Sequence, residues 1–417
     1  MIMDDREAIL RQAFKKAVAA VSAEARLPAH LPPPSSSNIH LIAVGKAAAA
    51  MAEVAADHLD VKSALVVFPD GHGPSRPLPS QFELITAGHP VPDERSVRAA
   101  DRALEFAAGL SSHDLMLALI SGGGSALMAA PVDGVSLDDK QALTRALLGS
   151  GATIADMNCV RQCLSRIKGG RLARATKAQV LTLVISDIPG DDLRLVASGP
   201  TLPSSATLEL AKAIFGWYPF DVAPGIKEAL DNPANAPVAT LPNARGELVA
   251  SPRMALEAAA RYLEGEGYRP LILGDAIEGE ARELARLDAK IALEHVSENQ
   301  RTALVIGGEG TVRLPPNPPP GGRNTEYALA LAIELDHHPG IRALACDSDG
   351  IDGSTPAAGA VVGPRTLSDL SSAGLDPQAC LEAHDAFEAF RLLDALVTTG
   401  PTRTNVNDIR LILIDRE

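Results

Sequence analysis

Aromatic side chains make up only 3% of this 417-residue chain, so its interior must be built mainly from Ala, Leu, Val and Ile. Cysteine is equally sparse. Cys159, Cys163, Cys346 and Cys380 form no CxxC pair and no His/Cys cluster of zinc spacing, which excludes a disulfide scaffold and a structural zinc site. They read as small core residues of a reducing compartment. Runs of Lys and Arg are absent, and 38 basic against 52 acidic residues leave a net charge of -14, which argues against a chain that tracks a nucleic-acid backbone. No apolar stretch reaches membrane-spanning length, and the charged start Met1-Ile2-Met3-Asp4-Asp5-Arg6-Glu7 opens an amphipathic helix rather than a secretory signal. The expected location is cytoplasmic.

At 46% hydrophobic and 22% charged residues, the chain can bury a large core, and its length exceeds what one core usually serves. The segment from Pro203 to Asn243, with Pro219, Pro224, Pro233, Pro237 and Pro242, is the natural boundary, giving domains 1–240 and 241–417. Alternating strand and helix patterns place both in the α/β class.

Six apolar residues, 115–120, lead into Ser121-Gly122-Gly123-Gly124-Ser125, a buried strand delivering glycines to a helix start. Such a turn serves either tight packing or a phosphate, because bare backbone N–H groups can approach an anion closely. Strand Ile39 to Val44 ends similarly in Gly45-Lys46 before an alanine-rich helix, where a lysine opposes the helix dipole unless an anion stands in front of it. Phe82 to Thr86 is followed by Gly88-His89-Pro90, and His89 reads more readily as a loop histidine than as a base. The pattern from Ser136 to Ala175 is helical, which would set Asn158, Arg161 and Lys168 on one face, interrupted by Gly169-Gly170. Strand Val180 to Ile185 ends in Asp187, with Asp191 and Asp192 beyond a Pro-Gly turn, where acids can hold Mg²⁺ or remain solvated.

The second half has the same logic. Strand Thr302 to Ile306 ends in Gly307-Gly308-Glu309-Gly310, and strand Arg342 to Cys346 ends in Asp347-Ser348-Asp349-Gly350. Between them Gly321-Gly322-Arg323 opens a helix, where an arginine can grip a carboxylate or phosphate bidentately. The polar loop 398–408 precedes the last strand, Ile409 to Ile414.

No G-x-G-x-x-G follows a strand, Gly45-Lys46 lacks the rest of a Walker A loop, and Leu127 stands where a nucleophile elbow needs its last glycine. Phosphate cradles, carboxylates, one lysine and one arginine remain, an inventory that suits phosphoryl transfer.

These residues carry a resemblance. Val44-Gly45-Lys46-Ala47, Gly88-His89-Pro90-Val91-Pro92, Ser121 to Ala126, Ser165 to Leu172, Ser186 to Asp192, Ala197 to Thr201, Gly307-Gly308-Glu309, Gly321 to Asn324 and Asp349 to Gly353, in this order, resemble the class II glycerate 2-kinases, whose C-terminal part is called the MOFRL domain. The resemblance implies a Rossmann-like N-terminal domain with a mostly parallel sheet, a smaller α/β C-terminal domain, and an active site in the cleft between them. It implies ATP- and Mg²⁺-dependent phosphorylation of D-glycerate to 2-phosphoglycerate. Carried over by position, Lys46, Arg323 and Asp187 would be catalytic, and Ser121, Gly122, Gly123, Gly124, Ser125 and Glu309 would bind nucleotide. Asp187, Asp191 and Asp349 would hold metal or orient the attacking hydroxyl, and Asn158, Arg161, Lys168 and Arg323 would bind substrate. The partner expected is a small hydroxy acid, with no nucleic acid or membrane, and a homodimer is admitted. The rival expectation is an NAD(P)H-dependent hydroxypyruvate reductase, a label that members of this family often carry.

Four positions depart from the family pattern. Asp347 stands where a glycine is expected, Gly310 where a threonine is usual, Thr325 replaces a common glutamine, and Arg403 replaces a glycine.

Overall fold

The computed structural model describes residues 5–33, 37–218, 221–296 and 300–415. Met1 to Asp4 of the charged start and Pro219 of the expected boundary lie outside them. The chain divides into two compact units, Ala23–Val249 and Ala250–Glu417 together with Met1–Ser22. The reading of 1–240 and 241–417 therefore differs at both ends of the first unit. Helix Asp5–Ala20 buries Leu10, Ala13, Phe14 and Ala17 within the C-terminal unit, packed on helix Pro252–Gly265.

In the first unit, strands β1 (Asn38–Val44), β2 (Val61–Pro69), β3 (Phe82–Ala87), β4 (Asp114–Ile120), β5 (Gln179–Ile185) and β6 (Ala244–Ala250) form one sheet in the order β3-β2-β1-β4-β5-β6. β1 to β5 run parallel. Their registers pair Val44 with Val67 and Ile120, and Ile120 with Val184, so the turns after β1, β4 and β5 open along one edge. Both faces of a parallel sheet are covered, which is why these strands read as apolar runs and why Leu41, Leu117 and Leu183 are fully buried. Scarce aromatics are replaced by close packing of small residues. Helix Ala48–His58 buries the successive residues Ala48 to Ala52.

The sequence pattern predicts one helical stretch from Ser136 to Ala175, and here the structure differs. Helices Leu137–Gly149 and Ile154–Cys163 are separate, and Thr153 caps the second through Asp156 N. The chain then turns through Gly169 and Gly170 at φ of 58° and 80°, left-handed values that terminate helix geometry. Arg161 and Lys168 therefore do not share a helix face.

The second unit is built on β7 (Arg269–Gly274), β9 (Thr302–Gly308), β11 (Ile341–Asp347), β12 (Gly359–Val362), β13 (Leu396–Val397) and β14 (Asp408–Ile414), in the order β13-β12-β11-β14-β9-β7. A small parallel pair, β8 (Gly279–Glu280) and β10 (Gly310–Thr311), lies outside that sheet. β14 is antiparallel to both β9 and β11, pairing Asp408 with Gly308 and with Asp347. The start of the last strand thereby lies beside the ends of two earlier ones. Helices Ala281–His295 and Arg323–Leu335 pack together in the core of this unit, with Tyr327, Leu329 and Leu331 buried.

Candidate active site

In the first unit the turns after β1 and β4 are stitched together. Lys46 N donates to Gly122 O at 2.9 Å, and Ala47 N donates to Ser121 Oγ at 3.0 Å. Ser121 is fully buried, so its hydroxyl builds the turn rather than facing a ligand. Gly123 has φ of 81°, and a side chain there would stand 3.0 Å from the His89 ring and 3.5 Å from the Lys46 stem. The bare backbone is what lets His89 and Lys46 close in. Among the described residues, the N–H groups of Gly122, Gly123, Gly124 and Ser125 donate no hydrogen bond. Four unpaired donors in one glycine turn form a nest for an anion.

Beside this nest lies a cavity of about 450 Å³, lined among others by His89, Gly123, Ser125, Lys140, Arg145, Asn158, Arg161, Lys168, Asp187 and Ser198. Asn158, Arg161 and Lys168 thus meet, although not through a common helix face. Lys168 Nζ donates to Ser125 Oγ at 2.7 Å, Ser125 Oγ lies 3.0 Å from Ser198 Oγ, and Ser198 Oγ donates to Asn158 Oδ1 at 2.9 Å. Ala197 and Ser198 have φ of 52° and 60°, costly values for non-glycine residues and a feature that concentrates at functional sites. Burial pushes Lys168 well below the usual lysine range, and the nearby cations Lys140 and Arg161 push it the same way. The Arg161 guanidinium makes no hydrogen bond or ion pair among the described residues.

Asp187 lines the cavity, and the following turn carries Asp191, whose Oδ1 is buried without a hydrogen-bond partner among the described residues. A buried anionic oxygen left unpaired fits a cation. Among the described residues no three His, Cys, Asp or Glu side chains gather as a metal cage. Mg²⁺ does not require one, since it commonly binds through one or two carboxylates together with substrate phosphates.

The second unit handles charge differently. Arg323 opens its helix and is held by three carboxylates. Its Nε lies 2.9 Å from Asp408, Nη2 lies 2.8 Å from Asp347, and Nη1 lies 3.2 Å from Glu309. Burial works against the charge, but attraction to Asp408, Asp347 and Glu309 outweighs it and keeps the guanidinium firmly protonated. Glu309 is 49% exposed on its side chain, against 3% for Asp408 and 4% for Asp347, so it is the partner a ligand can displace. Asp347, the departure from the family pattern, is an anchor of Arg323, and it also accepts Asp349 N at 2.9 Å. Asp349 itself accepts from Ile351 N at 2.8 Å and is buried in this unit.

Sequence reasoning missed Asp408 and undervalued Asp352. Asp408 also accepts from Asn324 Nδ2 at 2.7 Å and Gly310 N at 3.0 Å. Asp352 caps the Arg323 helix, accepting Asn324 N, Thr325 N and Thr325 Oγ1, each at 2.9 Å. That last bond gives another of the departures, Thr325, a purpose. The signal for Asp352 was its place three residues after Asp349 in the acidic turn; for Asp408 it was an acid directly before the last buried strand.

Residues 9–231 match the family described as a domain of unknown function, DUF4147, and residues 302–408 match the MOFRL family. A protein of Agrobacterium vitis, provisionally named hydroxypyruvate reductase, is 45% identical over 97% of this chain and 94% of its own length. D-glycerate 2-kinase of Thermotoga maritima is 37% identical over 99% of this chain and 100% of its own. The crystal structure of glycerate kinase from Thermotoga maritima superposes with a TM-score of 0.86 at 37% identity, covering 98% of this chain and 99% of that one. With both family regions in order and full-length relatives above 30% identity, the chain belongs to the class II glycerate kinase family.

Proposed function

We propose that this chain transfers the γ-phosphoryl group of ATP to the 2-hydroxyl of D-glycerate, forming 2-phosphoglycerate. The observation that carries the reading is the unpaired nest at Gly122 to Ser125 beside Lys46 and a cation-lined cavity, an arrangement that needs anions to complete it. Kinship to the Thermotoga maritima D-glycerate 2-kinase supports it.

In this reading the N–H groups of residues 122–125 bind nucleotide phosphate, and Lys46 neutralises the transferring group. Asn158, Arg161 and Lys168 hold the hydroxy acid, while Asp187 orients its attacking hydroxyl. Asp187 and Asp191 would hold Mg²⁺, which would supply positive charge to offset that of the phosphates. Arg323, relieved of Glu309, stabilises developing negative charge. Asp349, by contrast, organises the turn that supports Asp347.

The test is two parallel assays of the purified protein: D-glycerate with ATP and Mg²⁺, and hydroxypyruvate with NADH. ATP-dependent formation of 2-phosphoglycerate is expected. NADH consumption without ATP turnover would overturn the kinase reading in favour of the reductase name carried by the Agrobacterium vitis relative.

A further inference from the structure

Lys140 lies on helix Leu137–Gly149, is 6% exposed, and lines the same cavity as Arg161 and Lys168. Its ammonium donates to Leu164 O at 3.0 Å, the carbonyl of the residue that ends helix Ile154–Cys163. An ammonium carries three donors, so one carbonyl leaves capacity for two more bonds. Burying a cation costs several kcal/mol unless something of opposite charge repays it, in order of magnitude. The charges that act on Lys140 here are cationic: Arg161, Arg171 and Arg166. A helix-end carbonyl alone would be served as well by a neutral donor.

We propose that Lys140 is a third anion-binding residue of this cavity, completing with Arg161 and Lys168 a subsite for the carboxylate of a small hydroxy acid. The proposal rests on the kinase reading for the identity of the acid, and on the cavity for the subsite. Burial, reinforced by Arg161, Arg171 and Arg166, pushes the Lys140 ammonium down to about 7. The other charged groups around the cavity are His89 from the turn after β3, Arg145 on the helix of Lys140 itself, Lys168, and Asp187 after β5. Burial thus brings the charge change of Lys140 toward neutrality, and the carboxylate is held more tightly when Lys140 is protonated; Lys140→Gln separates its share of the pH dependence from that of Lys168 and His89.

The measurement is calorimetric binding of D-glycerate to the full chain without ATP, at pH 6 and pH 8.5, for the native protein, Lys140→Gln and Lys140→Arg. Glutamine can still donate to Leu164 O, so the helix end stays tied while the charge is removed. Arginine keeps the charge at both pH values. The native protein should lose about tenfold in affinity on going to pH 8.5, the energy of roughly one ion contact. Lys140→Gln should bind weakly at both pH values and Lys140→Arg tightly at both. A Lys140→Gln protein that follows the native pH dependence, or a native protein that does not bind D-glycerate, overturns the proposal. The two readings separate cleanly. Binding with this pattern but no ATP turnover leaves Lys140 in place and removes the kinase, whereas turnover with pH-independent binding does the reverse.

Discussion

Lys168 is a buried cation and Arg323 a half-buried one, and their surroundings are opposite. Lys168 is hydrogen-bonded to neutral oxygens, with Lys140 and Arg161 as its charged neighbours. Arg323 is enclosed by Asp347, Asp408 and Glu309. One unit holds positive charge in want of an anion, and the other holds an arginine already over-neutralised. The difference teaches which charges are kept for the fold and which for a ligand: removing a cation from the first cavity should help the empty protein, and removing Arg323 should harm it.

The largest effect is expected from Arg323→Ala. Asp347 and Asp408, both nearly fully buried, lose their counter-ion, and stranding buried charge typically costs about 3–5 kcal/mol. Activity should fall by on the order of 10² or more as well. Hydrogen exchange over 323–335 and steady-state turnover are the two readouts. An unchanged exchange pattern would mean that Arg323 is not what holds these acids in place.

Lys168→Met should break the pair of losses apart. Turnover should drop by about 10² through the lost contact to Ser125 and the substrate, yet the empty protein should be as stable as the native one or gain about 1 kcal/mol, since desolvation and repulsion from Lys140 and Arg161 disappear. Urea unfolding followed by the fluorescence of the single tryptophan, Trp217, which lies in the same unit, reads the stability. A loss of several kcal/mol would show Lys168 to be a structural cation like Arg323.

What could be read from the sequence follows from the same contrast. Strands buried on both faces announce themselves as apolar runs, so the turns at Lys46, Gly122 and Asp187 were visible as strand ends. Lys140 was not, because its helix shows only a helical pattern, and the face it turns to the cavity is set by packing against Leu164. Asp408 joins Arg323 only because β14 runs antiparallel between β9 and β11, and strand direction is not written in an apolar run. The expected common face for Arg161 and Lys168 failed at Gly169-Gly170, whose left-handed conformations turn the chain. The pair reached the same cavity by another route.

The two units should also answer pH with opposite signs. Lys140 sits below its ordinary value at about 7, so its contribution to stability is present above about 10.5 and is lost as pH falls through about 7. Burial raises Asp352 to about 6 against the hydrogen bonds from Asn324 and Thr325, so its contribution is present below 3.8 and is lost as pH rises through about 6. Asp352→Asn should therefore gain on the native protein between pH 4 and pH 7, by about 2–3 kcal/mol for a shift of this size. Urea midpoints at the two pH values check it. A constant difference between variant and native protein would mean that Asp352 does not titrate in this window.

The smallest effect tests a cation whose cost lies in the backbone. Arg403 has φ of 65°, a left-handed value that a non-glycine residue adopts at a cost of roughly 1–2 kcal/mol, at a position where the family pattern has glycine. Two explanations compete for an arginine there: tolerated strain, or a guanidinium that serves the substrate. Asp347, Asp408 and Glu309 are each already paired with Arg323, so none of the three depends on Arg403 for a partner. Arg403→Gly should then gain about 0.5–1 kcal/mol, because the relief of strain is partly offset by the greater freedom of glycine in the unfolded chain, and the KM for D-glycerate should not move. Thermal unfolding and substrate titration decide between them. A tenfold rise in KM with no gain in stability would make Arg403 a ligand-facing cation, and the second unit would then resemble the first.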